Sequence, residues 1–219
     1  MQIALPSGTT WHVRDAGKKL AYRAQLPGAR VFDLVATSLR AAKASGLGAS
    51  DRFTLALPAS WLVNSPAISR VLRRWALEPH RETCLAMIEL VEAGPEEWSR
   101  DPGTRDAMRL AIASLGDEAY VTEALSKVLA LVVPQAVPLM PVAARSFVLG
   151  DAEKDAADAF ARIVDWFARA TLAHGADLAE IARAHREVEI TGAGALDRLL
   201  WFDSEGHRHF PKIESAEAP

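Results

Sequence analysis

From about residue 66 onward the chain repeats one pattern, apolar side chains three or four positions apart with polar ones between. That spacing marks helices with one buried face. Ser65-Pro66 reads as an N-cap with proline at the first helical position, followed by Ile68, Val71, Leu72 and Trp75 on one face. Pro79 opens a second helix whose stripe is Cys84, Leu85, Ile88 and Val91, and Gly94-Pro95 stops it. A third is predicted from Asp101-Pro102-Gly103-Thr104, with Met108, Ala111, Ile112 and Leu115 inward and Gly116 at its end. Asp117 starts a fourth, in which Val121, Leu125, Val128 and Val132 align before Pro134 closes it. The longest begins at Asp151 and carries Phe160, Ile163, Val164 and Phe167 until His174-Gly175. Shorter helices follow from about Ala176 to Arg186 and from about Gly194 to Phe202, the latter with Leu196, Leu199, Leu200 and Trp201. Strand-like alternation is absent from this stretch, so the predicted fold class is all-α, a single-domain orthogonal bundle of about seven to nine helices.

The first third is less regular. Residues 1–30 read as an irregular N-terminal segment, in which Gln2–Leu5 and Thr10–Val13 are either a short hairpin across Ser7-Gly8 or plain coil. Val31–Ala44 is a helix with Phe32, Val35 and Leu39 as its stripe, ended by Ser45-Gly46. In Gly46-Leu47-Gly48-Ala49-Ser50, Gly46 is a C-cap and Ser50 or Asp51 an N-cap; a dinucleotide loop needs a strand before it, and here a helix precedes. The uncharged run Val128–Ala144 is broken by Pro134, Pro138 and Pro141, which points to a buried helix end and an extended corner rather than a membrane span. One domain over 1–213 with a frayed tail at 214–219 is the resulting organisation.

Composition narrows the class further. Half of the 219 residues are apolar and the formal charge is −3, which excludes global disorder and a polybasic nucleic-acid binder. The single cysteine, Cys84, forms no internal disulfide, and no export signal opens the chain, so a cytoplasmic location is expected. Arginine outnumbers lysine and Asn64 is the lone asparagine, the mark of a G+C-rich bacterial genome rather than of an arginine-driven function.

Four constellations hold chemistry-bearing residues, each with an ordinary reading beside it. Arg70, Arg73, Arg74 and Arg81, with Trp75 and His80 among them, form a candidate phosphate-binding patch or a solvated basic face offset by Glu78 and Glu82. Asp151, Asp155, Asp158 and Asp165 share one helix face, where Asp155 and Asp158 are candidates for acid–base or cation chemistry; Arg162 and Arg169, four residues after Asp158 and Asp165, also explain them as i,i+4 ion pairs. His207 and His209 are candidate metal ligands or surface residues of a C-terminal segment, and His174 and His185 flank a turn where histidine complements a helix dipole. Lys127, between Leu125 and Val128, is either a partly buried amine suited to catalysis or a snorkelling surface lysine. Gly192-Ala193-Gly194 reads as a connector, and a helix-turn-helix over Leu178–Ala182 and Thr191–Leu200 matches poorly at Arg186-Glu187-Val188.

Ser126-Lys127-Val128-Leu129, then Pro134-Gln135-Ala136-Val137-Pro138-Leu139-Met140, and later Leu196-Asp197-Arg198-Leu199-Leu200-Trp201, resemble an uncharacterised family of bacterial helical proteins. That family carries an S-K-x-L helix, a P-x-x-x-P corner and an L-D-x-x-L-W helix. Some of its members are suspected distant relatives of the helix-hairpin-helix DNA glycosylase fold. The resemblance implies a helical fold and nucleic-acid binding, but Pro141 stands where the pattern usually has an aspartate. Leu26-Pro27-Gly28-Ala29-Arg30 has the first half of the glycosylases' L-P-G-x-G phosphate turn, and otherwise reads as an ordinary turn before Val31. The expected function is therefore a non-catalytic binding protein with a macromolecular partner, protein or nucleic acid, no cofactor and no membrane association. Two alternatives stand beside it: a glycosylase-like DNA-binding protein, and a hydrolase or lyase working through Lys127 or the acidic helix face.

Overall fold

The computed structural model describes residues 1–61, 66–93, 101–116, 120–150, 155–184 and 190–205. Two short strands, β1 (Gln2–Ala4) and β2 (Thr10–His12), pair antiparallel with Ile3 opposite Trp11. Eleven helices follow among the described residues: α1 (Ala16–Ala24), α2 (Pro27–Ala44), α3 (Ala49–Trp61), α4 (Pro66–Trp75), α5 (His80–Glu92), α6 (Pro102–Leu115), α7 (Val121–Val132), α8 (Val142–Leu149), α9 (Ala156–Ala173), α10 (Gly175–Ala184) and α11 (Gly192–Ser204). The fold is all-α with somewhat more helices than the periodicity predicts. Residues 1–30, expected to be irregular, hold the hairpin, α1 and the first turn of α2. The Leu-Pro-Gly turn is itself the start of α2, with Leu26 at the N-cap and Pro27 at the first helical position.

α7 lies at the centre. Ten of its twelve residues are buried, Ser126 among them, and Glu123 and Lys127 are the two that are not. α2, α3, α4, α6 and α9 pack around it, while α11 packs on α1, α8, α9 and α10. Buried side chains from the hairpin and from the helices join in one continuous core, including Trp75, Phe53, Phe160 and Phe167. The N-terminal hairpin is tied to this body from several sides: Trp166 Nε1–H donates to the Ala4 carbonyl at 2.8 Å, Trp11 Nε1–H donates to Asp203 at 2.8 Å, and the Ser7 N–H reaches the Val148 carbonyl.

Local chemistry explains the helix ends. Asp101 accepts the Gly103 N–H, Asp155 accepts from Ala157 and Asp158, and Thr191 accepts from Gly194, each capping the helix that follows. Gly192 and Gly194 therefore belong to the first turn of α11 and are not a connector. A Cβ on Gly194 would lie 2.9 Å from Arg198 Nη1, so a side chain there would force that guanidinium to shift. After α7, residues Val133–Pro141 run as the expected corner, with Val133, Ala136, Val137 and Met140 buried. No helix among the described residues is long and apolar enough to cross a membrane.

Candidate functional site

The corner after α7 would expose unpaired backbone groups in the interior unless side chains met them. Two do so, from two different helices. Ser126 Oγ, on α7, accepts the Met140 N–H at 3.0 Å and donates to the Glu123 carbonyl at 2.9 Å. Asp197, on α11, accepts the Leu139 N–H at 2.7 Å. The serine of the S-K helix and the aspartate of the L-D-x-x-L-W helix thus hold adjacent peptides of one corner. Burial pushes the Asp197 carboxyl up from 3.8 to about 6, against the opposing pull of Arg23, the Leu139 N–H and Arg198.

Behind the corner sits a buried ion cluster. Asp33, on α2, bridges Arg23 of α1 at 3.1 Å and Arg198 of α11 at 2.9 Å. The side chains of Arg23 and Asp33 are only 3 % and 8 % exposed, so the pairing fixes three helices against one another. A water-sized space of about 30 Å³ adjoins Asp33, Asp197 and Arg198.

In front of the corner opens a cavity of about 400 Å³, where these segments meet. Its apolar wall is Leu26, Phe32, Leu139, Pro141 and Trp201; its polar groups come from Arg23, Glu123, Lys127 and Glu205. The Arg23 guanidinium also lies 5.7 Å from the Trp201 ring centre. Lys127 Nζ donates to Glu123 Oε1 at 2.8 Å, one helical turn away, and the two side chains are 14 % and 17 % exposed. Glu123, Pro141 and Glu205 continue into a second, wider space of about 690 Å³ with Phe147 and Asp203 on its walls. Lys19 pairs with Asp203 at 2.6 Å. The volume of the first space, about 400 Å³, falls in the range of small-molecule sites, and most of the lining charges are matched locally: Arg23 by Asp33, Lys127 by Glu123.

The other candidates sit elsewhere in the fold. Arg70 and Arg73 are exposed on α4, but Arg74 donates to the Leu115 carbonyl and Arg81 is held by Ser50 and Thr54 over the Phe53 ring. Arg74 and Arg81 are thereby engaged in holding helices together, and Trp75 is wholly buried. Asp155 is the N-cap of α9 and Asp165 pairs with Arg169 at 3.0 Å. His174 ends α9, while Asp151, His185, His207 and His209 fall outside the described residues; among those described, no metal-holding group of His, Cys, Asp and Glu occurs. Cys84 is buried and its thiol is pushed up to about 12 by burial, an inert side chain.

Sequence reasoning singled out Lys127 but missed Glu123, although an acid four residues before a lysine is a readable signal. It also missed Arg23 and Asp33, for which sequence offers no signal, since their third partner Arg198 lies 165 positions from Asp33. Set against family models, curated proteins and solved structures, the chain matches none.

Proposed function

We propose that the protein binds a nucleic-acid strand by receiving one unstacked base in the cavity between α1, α2, α7 and α11, and performs no chemistry on it. The observation that carries this reading is the convergence of the S-K helix, the proline corner and the L-D-x-x-L-W helix on one aromatic-walled cavity of about 400 Å³. Its ion pairs make it a poor receptor for a second full charge and a good one for a neutral ring with donors and acceptors on its edge. Trp201 supplies a stacking surface. Pro141, an apolar ring at the cavity wall where the resembling family usually has an acid, supports the non-catalytic reading.

Fluorescence anisotropy with a labelled, mixed-sequence single-stranded oligonucleotide tests this. Binding is expected to weaken with salt. It is also expected to weaken by about tenfold or more in Trp201→Ala, the loss of one stacked base. Affinity unchanged by Trp201→Ala removes the reading.

One observation favours a second reading, that of a lyase. The Lys127 amine lies inside the cavity with a carboxylate 2.8 Å away, a pairing suited to attack on a carbonyl with acid–base assistance. Borohydride capture of a covalent adduct with an aldehyde-bearing oligonucleotide, absent in Lys127→Met, would establish it over simple binding.

A further inference from the structure

We infer that the base selected by the cavity is guanine, read on its Watson–Crick edge by Lys127 and Glu123; the inference rests on the base-binding reading above. Lys127 and Glu123 stand one helical turn apart on α7, both line the cavity, and their charged ends are 2.8 Å apart. An ammonium only donates and a carboxylate only accepts, through two oxygens. Beyond the bond they share, the ammonium keeps two N–H groups and the carboxylate keeps a lone pair on Oε1 and the whole of Oε2, so the pair presents a donor group next to two acceptor oxygens.

The complementary edge has one acceptor followed by two donors. Guanine carries that array, with O6, N1–H and the N2 amine in order. Adenine offers a donor and an acceptor, cytosine a donor and two acceptors, and uracil or thymine an acceptor, a donor and an acceptor. Cytosine and uracil or thymine turn at least one acceptor toward the Glu123 carboxylate, and adenine has no second donor to offer it. A buried or half-buried charge that loses its partner to a mismatched edge is costly, so mismatches are penalised and not merely unrewarded. Glu205, which lines the same cavity from the end of α11, adds a further acceptor and no donor, which deepens the bias toward a donor-rich edge. Trp201 and the apolar wall formed by Phe32, Leu139 and Pro141 hold the ring without regard to identity, leaving discrimination to the α7 pair.

The wild-type protein is titrated by calorimetry with guanosine, inosine, adenosine and cytidine, and in parallel with thymine oligonucleotides carrying a single guanine or a single adenine. Guanosine is expected to bind about tenfold more tightly than inosine, which lacks only the N2 amine, and more tightly still than adenosine or cytidine. Glu123→Gln, whose amide places a donor against the N1–H and N2 donors, is expected to bring guanosine and inosine to within a few-fold of each other. Thermal melting of that variant reports whether it is folded, and the wild-type nucleoside series decides the matter if it is not. Guanosine binding with no oligonucleotide binding keeps the guanine assignment and removes the strand-binding function. Oligonucleotide binding with no preference for guanine overturns the guanine assignment and keeps the function. Equal affinity for all four nucleosides, or none for any, overturns the inference.

Discussion

Asp197 offers a quantitative test of how the corner is held. Its carboxyl titrates near 3.8 when the chain is unfolded and at about 6 in the folded protein, because burial disfavours the charge more than Arg23, the Leu139 N–H and Arg198 favour it. The folded state thus binds the extra proton across that window. Stability from this group is whole below the unfolded value and is lost as pH rises through the folded one. Proton linkage puts the loss between about pH 4.5 and 7.5 at about 2 kcal/mol. Asp197→Asn keeps an oxygen to accept the Leu139 N–H but cannot ionise. Any constant cost of its extra amide hydrogens cancels when two pH values are compared, as do carboxylates common to both proteins. Urea unfolding followed by far-UV circular dichroism should show the variant gaining about 2 kcal/mol on the wild type across that range. Parallel stability curves, or a wild type that gains on the variant, would refute the assignment of a strained carboxylate at the corner.

Three further outcomes are expected. Asp33→Ala, which strands the Arg23 and Arg198 guanidinium groups in the interior, should cost about 3–5 kcal/mol in urea unfolding, well beyond Asp165→Ala on the surface of α9. Ser126→Ala removes the acceptor of the buried Met140 N–H and should cost about 1–3 kcal/mol, read from the shift of the same midpoint. The Cys84 thiol, buried and pushed up to about 12, should resist a thiol-reactive chromophore until denaturant is added; rapid labelling of the native protein would contradict its placement.

The helices legible in the sequence were those whose burial is carried by large apolar side chains. α9 shows Phe160, Ile163, Val164 and Phe167 at regular intervals, and these are buried. α1 hid because its buried face is Leu20, Arg23 and Ala24, so an arginine does the packing that a leucine would advertise. α3 contains Pro58, a residue that argues against a helix interior, and its remaining apolar face does not repeat cleanly. α8 starts at Val142, with Pro141 as its N-cap, and is only eight residues long, too short for periodicity to separate it from the corner. The same division holds for the cavity. Lys127, the proline corner and Leu196–Trp201 stood out as local patterns, whereas the closing of the Arg23–Asp33 pair by Arg198 and the joining of corner to α11 depend on contacts 165 and 58 positions apart. Local spacing carries no information about such pairings.

The ends of the described chain clasp each other: Trp11 and Lys19 reach Asp203, Ala4 reaches Trp166, and Asp33 reaches Arg198. On a ribosome, where the chain emerges at about 5–20 residues per second, Asp33 waits roughly 10–30 s for Arg198 to be made. Until then the Arg23 and Asp33 side chains lack the partner that buries them, and the cavity lacks the Trp201 wall. The cavity is therefore complete only once α11 has been made. A nascent chain that ends before α11 presents the S-K helix and its corner with neither the Trp201 wall nor the Asp197 carboxylate that accepts the Leu139 N–H.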